Sequence, residues 1–210
     1  MARPRLITDE QILEMTRTCV LEKGAQVSLD VVAGELGVTG PALLKRFGSR
    51  QELWLRALRP PENPEFIEHF LAGPDERPLS VQLEERFTEM WHFFEEVVPC
   101  ISALRESGIP HDKLFDGRWK NPLRALQAIT RWLEMAHEQG LAHVPAAASV
   151  ATAILGAIQT RAFTGHIAKV KYSPRSTTGY LRDIVDLFSR ALALEGRPAS
   201  RKLRVVPSDS

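Results

Sequence analysis

The chain has 210 residues, 44% of them hydrophobic and 25% charged, with a formal net charge of +1. That length supports one large or two small domains with a buried core. The near-balanced charge excludes a molecule drawn to nucleic acid or membrane by its overall field, so any basic footprint must be local. The N-terminal MARPRLITDEQ lacks the apolar core of a signal peptide, and no apolar run reaches 18 residues. A soluble protein of the cytoplasm, with no membrane partner, is therefore expected.

Nearly every segment reads as helix, and an all-α fold follows. Thr8 with Gln11 has the form of a capping box, opening a helix whose inner face carries Ile12, Met15, Thr16, Cys19 and Val20 before Gly24 ends it. Ser28 caps a short second helix through Val32, Ala33 and Leu36. After the Gly37-Val38 turn, Thr39 caps a third helix, with Pro41 in the first turn, where its missing N–H would be unpaired anyway. Ser49 with Glu52 has the form of a second capping box for a fourth helix through Leu53, Trp54, Ala57 and Leu58.

Proline-rich stretches at 60–64 and 73–78 mark a boundary. It divides the chain into a unit at 1–59, a second at 60–196, and a basic tail at 197–210 that reads as disordered. Past the boundary, a long helix begins near Ser80 and carries Leu83, Phe87, Met90, Trp91, Phe94, Val97, Ile101 and Leu104 at steps of three and four, with a kink expected at Pro99. A connection containing Trp119 leads to a helix from about Pro122 to Gln139, ended by Gly140. Two last helices occupy roughly 145–170 and 176–195.

Two cysteines, Cys19 and Cys100, stand far apart among apolar neighbours, the pattern of buried free thiols. The six histidines show no metal-ligand spacing, and no nucleophile motif, phosphate loop or dinucleotide fingerprint occurs. Neither an enzyme nor a bound cofactor is expected.

The third helix is short and isolated by turns, with Leu43, Leu44 and Phe47 as its large apolar residues. From Gly37 to Arg59 there are five basic residues and one acid, a net +4 against +1 for the whole chain. A local basic concentration on a capped helix after a tight turn suits a helix-turn-helix, whose second helix enters the major groove of double-stranded DNA.

The run Ser28-Leu-Asp-Val-Val-Ala33, then Glu35 to Val38, Leu43 to Phe47 and Ser49 to Leu53 resembles the DNA-binding domain of TetR-type transcriptional regulators. The resemblance covers about residues 5–58, and beyond them it extends only to architecture. It implies DNA-facing roles for Ser28 and for Thr39, whose hydroxyl or N–H meets a phosphate. It sets Gly40, Pro41, Ala42 and Lys45 toward the groove, with Arg50 at the DNA backbone. Leu43 and Phe47 are expected in the core. At Leu44, where the family commonly has a tyrosine that contacts phosphate, a hydrogen bond is lost, so Lys45 or Arg46 must carry more of the backbone contact. Pro41 and Ala42 are read as thymine-methyl contacts and Lys45 as the main polar reader. Arg3 and Arg5 are either an arm to the DNA or an unanchored terminus.

In the second unit, a kinked helix lined by Met90, Trp91, Phe94 and Val98 is expected to leave a largely apolar cavity for a small-molecule effector. Trp119, Trp132, Gln159, Phe163 and His166 are the further candidate lining residues. Small residues at 146–157 and a wide apolar surface on the final helix suggest a homodimer through the last two helices. Such a dimer sets two recognition helices about 34 Å apart, matching successive major grooves. The resemblance implies repression relieved by the effector at a palindromic operator. The alternative is a helical ligand-binding or scaffold protein with weakened DNA binding, because the groove-facing residues offer few donors.

Overall fold

Local capping chemistry sets most element boundaries in the computed structural model, which describes residues 7–110, 121–168 and 176–193. Nine helices and no strand are found among the described residues. They are α1 (Asp9–Lys23), α2 (Leu29–Glu35), α3 (Gly40–Phe47), α4 (Arg50–Leu58), α5 (Glu65–Leu71), α6 (Leu79–Glu106), α7 (Asn121–Glu138), α8 (Ala147–Ala168) and α9 (Thr177–Ala191). The Thr8–Gln11 capping box is complete, with each residue's side chain bound to the other's backbone N–H. At α4 only half of the expected box forms. Ser49 Oγ accepts from the Glu52 N–H at 3.0 Å, but the Glu52 carboxylate accepts from Arg56 Nε at 2.8 Å instead of turning back.

α5 is absent from the sequence-based expectation. Its seven residues fit between two proline-rich stretches, too few for a periodic signal, yet Phe66, Ile67 and Phe70 are all buried. α6 runs continuously through Pro99. That residue has no N–H to offer the carbonyl of Glu95, one turn back.

Two hydrophobic cores form. The larger joins α5, α6, α7, α8 and α9 around Phe87, Met90, Ile129, Trp132 and Ile158, each at most 1% exposed. The smaller is built from α1–α4 around Ile12, Val20, Val32, Leu43, Phe47 and Trp54. Trp54 is fully buried and donates its indole N–H to the Ala25 carbonyl at 3.3 Å. Removing such a side chain costs about 3–5 kcal/mol.

The smaller core is not confined to residues 1–59. Cys100, Ala103 and Leu104 at the end of α6, and Ile109 beyond it, complete it. α6 thus belongs to both cores, changing from one to the other across Pro99, between Val98 and Cys100. Two polar contacts reinforce the joint. Gln26 Nε2 donates to the Glu106 carbonyl at 2.8 Å, and Arg17 lies 3.9 Å from Glu96.

Candidate nucleic-acid interface and internal pocket

α2, the turn and α3 are held by a chain of backbone satisfactions. Ser28 Oγ accepts from the Val31 N–H, and Thr39 Oγ1 accepts from the Ala42 N–H, both at 3.3 Å. Between them Gly37 adopts φ +66°, a conformation glycine enters without steric cost, and the Val38 N–H reaches back to the Ala33 carbonyl at 3.0 Å. A 2.6 Å ion pair between Lys23 and Glu35 ties α2 to the end of α1. The hydrogen bond between them raises the Lys23 pKa and lowers that of Glu35.

Leu43 and Phe47 bury one face of α3, as expected from the sequence. Gly40 joins them, against its expected place in the groove. A Cβ at this position would stand 2.5 Å from Asp30 Oδ1, so the glycine permits close packing of α2 on α3. Pro41, Ala42, Leu44 and Lys45 are exposed, at spacings that set them on one outer face.

The basic cluster divides by the partners its members hold. Arg46 donates to the Ile7 carbonyl at 2.7 Å and pairs with Asp9, anchoring α3 to the start of α1. Arg50, expected at the DNA backbone, instead donates through one nitrogen to the Ala25 and Val27 carbonyls at 2.8 and 3.1 Å. Its guanidinium lies 4.4 Å from the Trp54 ring centroid. It clamps the α1–α2 loop. Arg56 pairs with Glu52 on its own helix. Lys45 is exposed and has no hydrogen bond or ion pair among the described residues. Arg3 and Arg5 lie outside those residues.

The internal pocket has a volume of about 770 Å³ and lies among α5, the second half of α6, the start of α7 and the second half of α8. Phe94, Val98, Gln159, Phe163 and His166 line it as expected. Met90 and Trp132 do not. They are 0% and 1% exposed in the larger core, where Trp132 packs edge-on against Phe70 with centroids 5.9 Å apart. Trp91 packs against that core as well, and Trp119 lies outside the described residues. The sequence reading missed Phe66, Phe93, Val97, Ile101, Ser102, Arg105 and Glu106. The step from Phe94 through Val97 and Ile101 was visible as an apolar stripe, but periodicity cannot tell a wall from a core.

No protein-family model matches the sequence, and no curated protein does. Solved structures do match. A TetR-family transcriptional regulator from Haloarcula marismortui superposes with a TM-score of 0.66 over 88% of this chain and 97% of its own, at 15% identity. The TetR-family regulator PfmR from Thermus thermophilus gives a TM-score of 0.59 over 89% of this chain and all of its own, at 20% identity. A TetR-like regulator from Rhodococcus gives 0.58 over 90% and 97%, at 17% identity. The chain has the TetR fold. Within that fold α1–α4 form the helix-turn-helix unit and α5–α9 the pocket-bearing body, joined by α6. Among the described residues no helix is long and apolar enough to cross a membrane, and no cluster of three or more potential metal ligands occurs.

Proposed function

We propose that this protein is a DNA-binding transcriptional regulator of the cytoplasm, a homodimer that binds a palindromic operator and releases it when a small, largely apolar effector fills the pocket. The observation that carries the reading is the outer face of α3. It is a Thr39-capped helix after a tight turn, presenting Pro41, Ala42, Leu44 and Lys45 outward while Leu43 and Phe47 hold it to the core. Apolar groups of this size meet thymine methyls, and Lys45 supplies a donor for guanine or phosphate. Thr39 is exposed, and its hydroxyl, while accepting from the Ala42 N–H, keeps a hydrogen to donate to a phosphate.

The effector acts through α6. In its last two turns, pocket-lining Ile101, Ser102, Arg105 and Glu106 alternate with Cys100, Ala103 and Leu104 of the smaller core, so a ligand that moves one set moves the other. Two states with the reading heads at different separations then exchange according to effector occupancy. The homodimer reading is supported by the exposed small residues Ala148, Thr152 and Ala153 of α8 and by Leu187 of α9, which is 62% exposed. Most of the apolar width of α9 is used within the chain, where Phe188 meets Phe87 edge-on and the Tyr180 hydroxyl donates to the Ala157 carbonyl.

The commitment of Arg46 and Arg50 to intramolecular partners favours a second reading, a ligand-binding protein with weakened DNA affinity. Selection from random duplexes by the full chain separates the two. A palindrome with T or G at the contacted positions, bound in a salt-dependent way, supports the regulator. Failure to retain any duplex at low salt supports the second reading.

A further inference from the structure

Arg105, in the last turn of α6, faces the pocket and is exposed. Its side chain has no hydrogen bond, ion pair or ring contact among the described residues. Of the other described arginines, all but Arg182 are engaged. A guanidinium left unpaired at the end of an apolar pocket is available to a planar carboxylate, which it can hold through two parallel N–H donors.

The pocket is polarised to match. Its inner end is an aromatic cluster, with Phe66 centred 4.9 Å from Phe93 and 6.3 Å from Phe94, and Phe93 5.3 Å from Phe94. Phe66 and Phe94 are 3% and 8% exposed. Phe94 and Arg105 are eleven residue steps apart on α6, about 16 Å along the axis, a span that an unbranched acid of roughly a dozen carbons bridges. Glu106 also borders the pocket, about 100° around the helix from Arg105. Its charge disfavours a second anionic group on the ligand. His166, on α8, is the other titratable lining group.

We infer that the pocket takes an amphipathic monocarboxylic acid, its apolar body on Phe66, Phe93 and Phe94 and its carboxylate on Arg105. The inference rests on the proposed effector role of this pocket and gives that effector a chemical class. It also places the headgroup at the joint between the cores. Leu104 is buried in the smaller core, and the Glu106 carbonyl receives the Gln26 amide.

The test is calorimetric titration of the full chain with dodecanoate, with 4-biphenylacetate as the aryl counterpart and dodecan-1-ol as the uncharged control. The expected result is binding of at least one of the two acids, weakened at least about tenfold by Arg105→Gln and restored only in part by Arg105→Lys, which keeps the charge but not the two-donor fork. Dodecanol binding should change less than about twofold in Arg105→Gln, since the alcohol makes no ion pair. Ile101→Trp, which fills the pocket, should abolish binding of acid and alcohol alike, separating the pocket from surface adsorption. The two acids distinguish an aliphatic body from an aromatic one, and Arg105-dependent binding of either supports the inference. Neither acid binding, equal loss of acid and alcohol in Arg105→Gln, or binding that survives Ile101→Trp would overturn it. Operator binding is measured separately. A protein that holds DNA but no acid refutes only this inference, and one that holds an acid but no DNA refutes only the regulator.

Discussion

Gln26 and Glu106, 80 residues apart, are joined by a 2.8 Å hydrogen bond from the Gln26 side-chain amide to the Glu106 carbonyl. The bond closes the end of α6, whose last carbonyls have no partner within the helix. It comes from the α1–α2 loop, the same loop that Arg50 clamps through the carbonyls of Ala25 and Val27. Helix-turn-helix unit and pocket wall are therefore fastened here as well as through the smaller core and the Arg17–Glu96 contact. Gln26→Ala is expected to lower stability by about 1 kcal/mol, read from denaturant unfolding. The same variant should need more effector to release DNA, because motion of α6 reaches the reading head through one fewer contact.

The packing of Asp30 over Gly40 predicts a non-additive pair. Alanine is the better helix former, by about 1 kcal/mol in a helix interior and by less at the first helical position that Gly40 holds, so an unobstructed Gly40→Ala would stabilise α3 modestly. With Asp30 in place, the new Cβ meets a carboxylate oxygen at 2.5 Å and displaces it. Gly40→Ala should therefore fail to stabilise the wild-type chain but stabilise an Asp30→Ala background. A double-mutant cycle by urea unfolding should show coupling of about 1 kcal/mol, and strict additivity would show that Asp30 swings aside freely.

Lys45 and Arg46 are adjacent basic residues with opposite roles. Lys45→Ala should leave the melting temperature unchanged and weaken DNA binding, reducing the salt slope by about one per protomer. Arg46→Ala should cost about 1 kcal/mol of stability, through loss of its contacts with Ile7 and Asp9. Its DNA salt slope should stay near that of the wild type. Fluorescence anisotropy at several salt concentrations checks both.

The two thiols should be inert in the folded protein. Cys19 and Cys100 are each 2% exposed, and burial pushes both pKa values up. A thiol reagent at pH 8 should label them only on unfolding. The sign for stability follows from the raised folded-state pKa. The contribution is complete below the ordinary thiol range and is lost as pH rises through that range toward the folded value, because the unfolded chain releases its proton first. Unfolding followed from pH 7 to 10 should show the decline, and Cys100→Ala should reduce it.

Leu187, exposed on α9, tests the dimer. Leu187→Glu places a charge on an apolar contact and should shift the protein toward monomer by at least tenfold in dissociation constant, a change of about 1.4 kcal/mol. Sedimentation at micromolar concentration distinguishes the species. A wild-type monomer at that concentration would refute the homodimer.

What could be read along the chain was what depends on near neighbours. Thr8, Ser28, Thr39 and Ser49 satisfy N–H groups three residues on, and Gly24, Gly37 and Gly48 adopt positive φ. Their positions therefore set helix ends without knowledge of the fold. Apolar spacing likewise assigned Leu43 and Phe47 to the core, because helix geometry alone brings them to one face. Only the tertiary structure decided which cations are free. Arg46 and Arg50 find acceptors 23 to 39 residues away, which no local pattern encodes. The same holds for Gly40, buried by a side chain from another helix, and for α6, one amphipathic stripe divided at Pro99 between two cores. Pocket and core have the same residue chemistry. What separates Phe94 and Val98 from Met90 is whether another helix fills the space opposite, and that is settled by the packing of α5, α7 and α8.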